Sequence, residues 1–276
     1  MAVGLFVGKR QSRPWIVSDE LWSLIEPLLP SPGPNLMEGR LRVPDRQALG
    51  GILFVLHTGI QWEYLPQELG FGSGMTCWRR LAAWNEAGVE LHLVLLKKLR
   101  AAGKLDWSRA VIDSSHVRAA RHGPKGGPSP VDRARPGSRH HVLTDGQGIP
   151  LAVSLTGGNR NDVTQLLQLL DKVPTVAGVV GRPRRRPDAL LADRGYDHDK
   201  YRRLLWQRGI RPVIAERGVE NGSGLGVFRW VVERTIAWLH GFRRLRIRWE
   251  RRDDIHEAFL GLATCLITHR HVQRLR

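Results

Sequence analysis

The chain has 276 residues and a formal net charge of +17, from 43 lysine and arginine residues against 26 acidic residues. A hydrophobic fraction of 42% supports a folded core and excludes a disordered chain, and the sequence contains no apolar run long enough to cross a membrane. The surplus of positive charge favours a phosphate-rich partner, because each cation placed on a phosphate releases condensed counterions. On charge alone, a merely basic protein is the alternative.

The first 104 residues show helical periodicity after a short start. We predict a loose leader over residues 1–13 and a helical domain over 14–104. The helix starts are indicated by capping or proline residues, namely Ser18, Pro44, and Ser73 or Thr76, and a fourth helix covers about 89–100.

The third predicted helix, at 73–86, is basic and follows a helix and a connecting segment. This order is typical of a helix-turn-helix DNA-binding module. We therefore predict that this helix reads DNA and that Thr76, Arg79 and Arg80 face the groove. A helical domain of this size would also carry basic residues without reading DNA, so both interpretations stay open.

Residues 105–276 have a different pattern, in which short apolar runs alternate with helical segments. The predicted elements, in chain order, are a strand at 109–113, a hairpin at 140–155 with a tight turn at Asp145-Gly146, a helix at 163–172 capped by Asp162, a strand at 188–193, a helix at 198–208, a strand at 210–215, and helices at 229–245 and 254–272. Strand, hairpin, helix, strand, helix, strand is the order of a ribonuclease-H-like α/β domain. The predicted fold class is therefore α/β, with a helical domain preceding this second domain.

Three carboxylates occupy informative positions in that domain. Asp113 and Asp193 each end an apolar run that predicts a buried strand, and Glu233 lies on a helical pattern. Carboxylates that meet at one edge of a sheet supply the oxygen ligands that Mg²⁺ prefers, and phosphodiester cleavage commonly uses two such ions. Any one of these acids could be a cap or a surface residue. Their combined order favours a metal site in which Asp113 binds both ions, while Asp193 and Glu233 bind one each.

Several residues near these acids are candidates for supporting roles. Arg229 precedes Glu233 by four residues and His240 follows it by seven, so all three share a helix face. Arg229 is predicted to hold the carboxylate or a substrate phosphate. His116, three residues after Asp113, is predicted either to assist the site or to make a structural hydrogen bond.

Three basic segments are candidates for contacting the DNA backbone: residues 118–139, 182–186 and 243–252. The first ends at Arg139, and the third begins with Arg243 and Arg244 and alternates arginine with apolar residues. One face of such a segment can pack while the other meets phosphate. The alternative is that the loops are simply solvated.

Six motifs carry a resemblance to a known family. They are Val-Ile-Asp-Ser-Ser-His-Val (111–117), Gly-Pro-Ser-Pro-Val-Asp-Arg (127–133), Pro-Gly-Ser-Arg-His-His-Val-Leu-Thr-Asp (136–145), Gly-Asn-Arg-Asn-Asp-Val (158–163), Leu-Ala-Asp-Arg-Gly-Tyr-Asp (191–197) and Arg-Trp-Val-Val-Glu-Arg-Thr-Ile-Ala-Trp-Leu (229–239). With them, the stretch 113–252 resembles the catalytic domain of DDE transposases of the insertion-sequence-five family of bacterial mobile elements. Residues 14–100 resemble the helical region that precedes that domain.

The resemblance implies a catalytic, metal-binding triad of Asp113, Asp193 and Glu233, with Mg²⁺ as the cofactor and Mn²⁺ as a substitute. The family also carries a signature of Tyr, Arg, Glu and Lys around its final acid. Arg229 and Glu233 match that signature, whereas Gly226 and His240 stand at the Tyr and Lys positions. His240, or the Arg243-Arg244 pair, would then supply the missing phosphate contacts.

The resemblance also implies a function, which is binding of terminal inverted repeats and target DNA followed by strand cleavage and strand transfer. A homo-oligomer assembled on DNA is expected from the resemblance alone. Two isolated cysteines and the lack of a signal-peptide pattern predict a reducing, cytoplasmic location. Association with the nucleoid is expected from the resemblance. The alternatives are a stand-alone nuclease on the same fold and a non-catalytic DNA-binding protein derived from a transposase.

Overall fold

The computed structural model describes residues 13–31, 41–218 and 226–275. Nearly all of the predicted leader, and most of the glycine-rich segment before residue 226, lie outside these ranges. The helices are α1 Asp19–Ile25, α2 Asp45–Thr58, α3 Gly74–Glu86, α4 Leu91–Ala101, α5 Leu166–Lys172, α6 Asp199–Gln207, α7 Gly226–Gly241, α8 Arg243–Arg246 and α9 Asp253–Gln273. The strands are β1 Ala110–Ala119, β2 Gly127–Pro128, β3 Pro136–Asp145, β4 Pro150–Gly157, β5 Ala189–Ala192, β6 Arg211–Ile214 and β7 Ile247–Arg248.

The helices of the N-terminal region begin where their capping residues predict. The Ser18 hydroxyl accepts the Leu21 amide at 3.2 Å, and the Ser73 hydroxyl accepts the Thr76 amide at 3.1 Å, so Ser73 caps α3. Residues 59–73 separate α2 from α3 and contain two 3₁₀ turns. A helix-turn-helix motif has a turn of about three or four residues. The helical region is therefore confirmed, and the segment that connects α2 to α3 is longer than that turn.

The sheet has β1 at its centre. β1 pairs antiparallel with β3, which pairs antiparallel with β4. On its other side β1 pairs parallel with β5, and β5 pairs parallel with β6. Three antiparallel strands followed by two parallel ones, with the first strand in the middle, is the strand order of a ribonuclease-H-like domain. The predicted fold class is confirmed.

Two predicted elements around the central strand differ in extent from those observed. β1 does not end at Asp113 but continues to Ala119, and β3 begins at Pro136. The β3–β4 connection spans residues 146–149 rather than a two-residue turn. The wider loop forms because the Asp145 carboxylate accepts three backbone amides at 2.8–2.9 Å, from Asp106, Gln147 and Ile149.

Two predicted helix boundaries also change. Asn161, not Asp162, caps the turn before α5, since its side-chain oxygen accepts the Val163 amide at 3.3 Å. The predicted helix 229–245 is broken: α7 ends at Gly241 and α8 starts at Arg243. Consequently the arginine-rich stretch 243–252 is not the end of a long helix but a short helix followed by β7.

One hydrophobic core joins the helical region to the sheet. It contains Ile52 of α2, Leu81 of α3, Val111 of β1, Leu239 of α7 and Phe259 of α9. A second cluster fills the opposite face of the sheet, beneath α5 and α6. The predicted boundary at residues 104/105 thus separates two kinds of secondary structure that share a core. In the described ranges, no helix combines the length and apolarity needed to span a bilayer.

We predict that Phe259→Ala lowers the free energy of unfolding by about 3–5 kcal/mol, because it leaves a cavity in this shared core. Phe259 is fully buried and stacks on Trp62 of the helical region, with ring centroids 5.5 Å apart. Urea denaturation followed by circular dichroism measures the change. Trp206→Ala, at an exposed position on α6, is the control. Separate unfolding of helices and sheet would contradict a shared core.

Candidate active site

The two faces of β1 separate the candidate residues. Side chains alternate along a strand, so Asp113 and Ser115 share one face and His116 lies on the other. The first face is covered by α7, since Ser115 Oγ lies 3.2 Å from Nε2 of His240. His116 instead packs over Gly137 of β3, where an added Cβ would lie 2.1 Å from its Nε2. The structure therefore places His116 on the face of β1 opposite to Asp113.

Asp113 and Asp193 are brought together by the parallel pairing of β1 with β5. Val111 of β1 pairs with Leu191 of β5, and continuing this register places Asp113 level with Asp193. Asp193 directly follows β5 and begins a 3₁₀ turn, in which its Oδ1 accepts the Gly195 amide at 2.9 Å. The two carboxylates are therefore positioned by neighbouring strands, Asp113 within β1 and Asp193 directly after β5.

Arg229 ties the third acid to the first two. Its Nη2 lies 3.2 Å from Oδ2 of Asp113, 3.8 Å from Oδ2 of Asp193 and 4.0 Å from Oε1 of Glu233. Only the contact with Asp113 is a hydrogen bond. One nitrogen of α7 thus lies within ion-pair distance of all three predicted acids, which belong to three separate elements.

The three carboxylates differ in their surroundings. The Asp113 side chain is mostly buried, and its Oδ1 accepts the Ser114 amide at 2.7 Å. Burial raises the pKa of Asp113 and the charge of Asp193 adds to that rise, while the Ser114 amide and Arg229 oppose it. The Glu233 side chain is 59% exposed. Glu233 is therefore the acid that is most accessible from solvent.

The β3–β4 loop holds α7 at its position over β1. Thr235 Oγ1 donates to the Gly148 carbonyl at 2.6 Å, and Arg234 donates to the Gln147 carbonyl. This is the loop that Asp145 closes with its three amide contacts. The sequence indicates Asp145 only as a turn residue, but the structure makes it a support for the helix that carries Arg229 and Glu233.

A buried polar network extends from β3 toward the helical region. The Nε2 atoms of His140 and His256 lie 2.8 Å apart, and Nδ1 of His256 is 3.7 Å from Oε2 of Glu250. Burial lowers the pKa of both histidines. Glu250 also pairs with Arg244, whose Nη1 donates to the Ile60 carbonyl at 2.7 Å. Arg244 is only 3% exposed, so in this structure its guanidinium lies in the core and not at the surface where DNA would bind.

The remaining predicted DNA-binding residues divide by exposure. Arg79 and Arg243 are exposed. Arg80 is largely buried and lies 3.5 Å from Asp45, and Arg139 pairs with Asp162 while donating to the Gly158 carbonyl at 3.2 Å. The guanidinium groups of Arg80 and Arg139 are therefore already paired with carboxylates in this structure.

The donor set suits a hard divalent cation. Three carboxylates supply only oxygen ligands, which Mg²⁺ and Mn²⁺ prefer. Beside them, the Tyr196 hydroxyl is buried without a hydrogen-bond partner, and burial and the nearby acids raise its pKa. Across the described residues, no three His, Cys, Asp or Glu side chains stand close enough to share an ion. Arg229 occupies the space between the carboxylates.

A ribonuclease-H-like strand order, with the three predicted acids on β1, after β5 and on α7, is typical of a DDE-type nucleic-acid-processing enzyme, and comparison with known families agrees. The family model "Putative transposase of IS4/5 family" matches residues 17–94, and two models described as "Transposase DDE domain" match residues 107–222 and 190–269.

Two similar proteins come from Burkholderia cepacia. "Putative transposase for insertion sequence element IS402" is 62% identical over 166 residues, which cover 60% of this chain and 77% of the relative. "Insertion element IS402 uncharacterized 16.2 kDa protein" is 58% identical over 119 residues, covering 42% of this chain and 81% of the relative. The chain belongs to the IS4/5 family of DDE transposases.

Solved structures show weaker likeness. The Mos1 strand transfer complex gives a TM-score of 0.36 at 12% identity, covering 88% of this chain and 79% of the other. The simian T-cell lymphotropic virus intasome in complex with the PP2A regulatory subunit B56 gamma gives 0.33 at 17% identity, covering 57% and 48%. The fold assignment rests on the strand order described above.

Asp145 predicts a pH dependence of stability. Burial raises its pKa from 3.8 to about 6, so the folded state binds the proton more tightly than the unfolded chain. This stabilising contribution is complete below pH 3.8 and is lost as the pH rises through 6. The free energy of unfolding of the native protein, relative to that of Asp145→Asn, should fall by roughly 1–3 kcal/mol between pH 4 and pH 7.

Urea denaturation at each pH measures this difference, and subtracting the Asn variant removes the contribution of all other titrating groups. A difference that is constant with pH, or that grows as the pH rises, would contradict the burial-raised pKa.

Proposed function

We propose that Asp113, Asp193 and Glu233 form a divalent-metal centre at which this transposase cleaves DNA strands and joins them to target DNA. The observation that carries the proposal is the convergence of the three acids on a single nitrogen of Arg229, at 3.2, 3.8 and 4.0 Å. These acids come from β1, the end of β5 and α7, so only the folded chain brings them together.

The chemistry of strand transfer matches this donor set. Bound Mg²⁺ or Mn²⁺ would activate the attacking hydroxyl, from water in cleavage and from DNA in joining, and stabilise the leaving oxygen. Asp113 and Asp193 would hold such ions rigidly because they are fixed on paired strands. Glu233 would complete the site from the solvent side, where DNA approaches.

Ser115 and His240 extend the site along the Asp113 face of β1. Their side chains form a polar pair, with Oγ and Nε2 at 3.2 Å, on the same face as the acids. Burial and the charge of Arg246 lower the pKa of His240. At neutral pH His240 would therefore contact a phosphate as a neutral hydrogen-bonding group, unlike the lysine that the family signature carries at this position.

Binding of terminal inverted repeats and target DNA is the second part of the proposal. The net charge of +17 supports it, as do the exposed Arg79 of α3 and Arg243 of α8. A homo-oligomer on paired DNA ends and action at the nucleoid stay predictions from the family resemblance.

We predict that Asp113→Asn, Asp193→Asn and Glu233→Gln each lower cleavage and strand transfer by about 1,000-fold or more, equivalent to a barrier increase of about 4 kcal/mol. The reason is that each removes one charged metal ligand while preserving side-chain volume. Gel assays with duplexes that carry the element ends and Mg²⁺ measure both steps. Glu216→Gln, outside the cluster, serves as the charge-matched control.

End binding by these variants should persist in a gel-shift assay. Strand transfer that survives loss of any of the three acids would reject the metal centre. Cleavage by the native protein without any joined product would indicate a stand-alone nuclease instead.

We predict that Arg79→Ala weakens DNA binding more than Arg80→Ala does. Arg79 is exposed, whereas Arg80 on the same helix is paired with Asp45. Losing one phosphate contact should reduce the slope of log affinity against log salt by about one unit. Fluorescence anisotropy over a salt series measures this slope. Equal effects of the two substitutions would contradict an α3 surface that binds through Arg79.

A further inference from the structure

Arg229 stands where a cation is expected. Its Nη2 contacts Asp113, Asp193 and Glu233 at 3.2–4.0 Å, and its side chain is 24% exposed. Its Nε is buried and has no hydrogen-bond partner among the described residues. The guanidinium is therefore held mainly by the charges of the carboxylates, and not by a full set of directed hydrogen bonds.

This placement has a clear electrostatic purpose. Three carboxylates at one sheet edge repel one another, and a guanidinium keeps its positive charge at every physiological pH. Arg229 thus supplies the compensating charge that a divalent ion would otherwise supply. Oxygens of all three carboxylates lie within 4.0 Å of its Nη2.

Arg229 can be reached from solvent. It lies in the first turn of α7 and its side chain is 24% exposed, while Glu233, four residues further along the helix, is 59% exposed. A guanidinium pairs with phosphate as well as with carboxylate, through the same forked geometry. A DNA phosphate arriving at the site would therefore compete for Arg229.

We propose that Arg229 is an internal counter-ion that passes from the carboxylates to the DNA backbone, so that DNA binding and metal loading reinforce each other. This inference rests on the proposed metal centre. Without DNA, Arg229 and the metal compete for the same oxygens and the metal binds weakly. With DNA, Arg229 pairs with a phosphate and the carboxylates are freed for the metal.

Thermodynamic linkage makes the proposal quantitative. If DNA raises the affinity for metal by a given factor, metal must raise the affinity for DNA by the same factor. Such couplings commonly amount to about 5- to 150-fold. Removing the guanidinium should tighten metal binding to the free protein. It should also abolish the coupling between DNA binding and metal binding, because both effects come from the competition between Arg229 and the metal.

The test uses the full chain and Mn²⁺, with free Mn²⁺ measured by electron paramagnetic resonance. Titrations are made with and without a duplex that carries the element ends. In the absence of DNA, Arg229→Gln should bind Mn²⁺ about tenfold more tightly than the native protein. The duplex should tighten Mn²⁺ binding to the native protein about tenfold, which lies within the typical size of such couplings. It should tighten Mn²⁺ binding to Arg229→Gln less than about twofold, because the coupling is lost.

Two variants serve as comparisons. Arg203→Gln, at an exposed position on α6, removes one positive charge away from the cluster and should behave like the native protein. Arg229→Lys keeps the charge but loses the fork, so it should lie between the native protein and Arg229→Gln. It also tests the proposal if Arg229→Gln does not fold, which circular dichroism would reveal.

The outcomes separate the two proposals. Asp193→Asn should weaken Mn²⁺ binding in the native and Arg229→Gln backgrounds. Suppose that Asp193→Asn weakens Mn²⁺ binding, but that Arg229→Gln binds Mn²⁺ no more tightly than the native protein and still responds fully to DNA. The metal centre is then supported and the counter-ion role of Arg229 is overturned. If Asp193→Asn leaves Mn²⁺ binding unchanged in both backgrounds, the metal centre itself is rejected.

Discussion

Repulsion between three carboxylates at one edge of the sheet is the constraint on which the site depends. The paired strands hold two of the carboxylates in fixed positions, and the proposed counter-ion Arg229 compensates their charge. Parallel pairing of β1 with β5 fixes Asp113 level with Asp193, so neither acid can relax away from the other. The β3–β4 loop then holds α7 above them through Thr235. Arg229 places a positive charge within 3.2–4.0 Å of all three carboxylates.

A buried ion pair elsewhere in the molecule contrasts with Arg229. Arg244 and Glu250 form a buried ion pair that also uses the Ile60 carbonyl, and this pair is locked into the core. Breaking such a pair leaves an uncompensated buried charge, which commonly costs about 3–5 kcal/mol. Arg229 has fewer directed contacts and borders on solvent. Arg244 thus stabilises the core through a buried ion pair, whereas Arg229 is the proposed counter-ion of the carboxylates.

Local patterns are enough to predict some of this arrangement. Apolar runs that end in Asp113 and Asp193 indicate buried strands, and the four-residue spacing of Arg229 and Glu233 indicates their shared face. The sequence misses features that depend on distant contacts. The polar Ser114-Ser115-His116 segment hides the continuation of β1, so the sequence does not show which face of the strand carries His116. The burial of Arg244 depends on Glu250 and Ile60, and no local pattern shows those contacts.

The packing of α9 has a consequence for how the protein is made. Its Phe259 lies in one core with Ile52 and Leu81, residues that leave the ribosome long before it does. Until residues 253–273 emerge, the helices that carry Arg79 have an exposed apolar face and no partner to cover it. The nascent chain therefore cannot bury the apolar face of its helical layer until α9 has been synthesised.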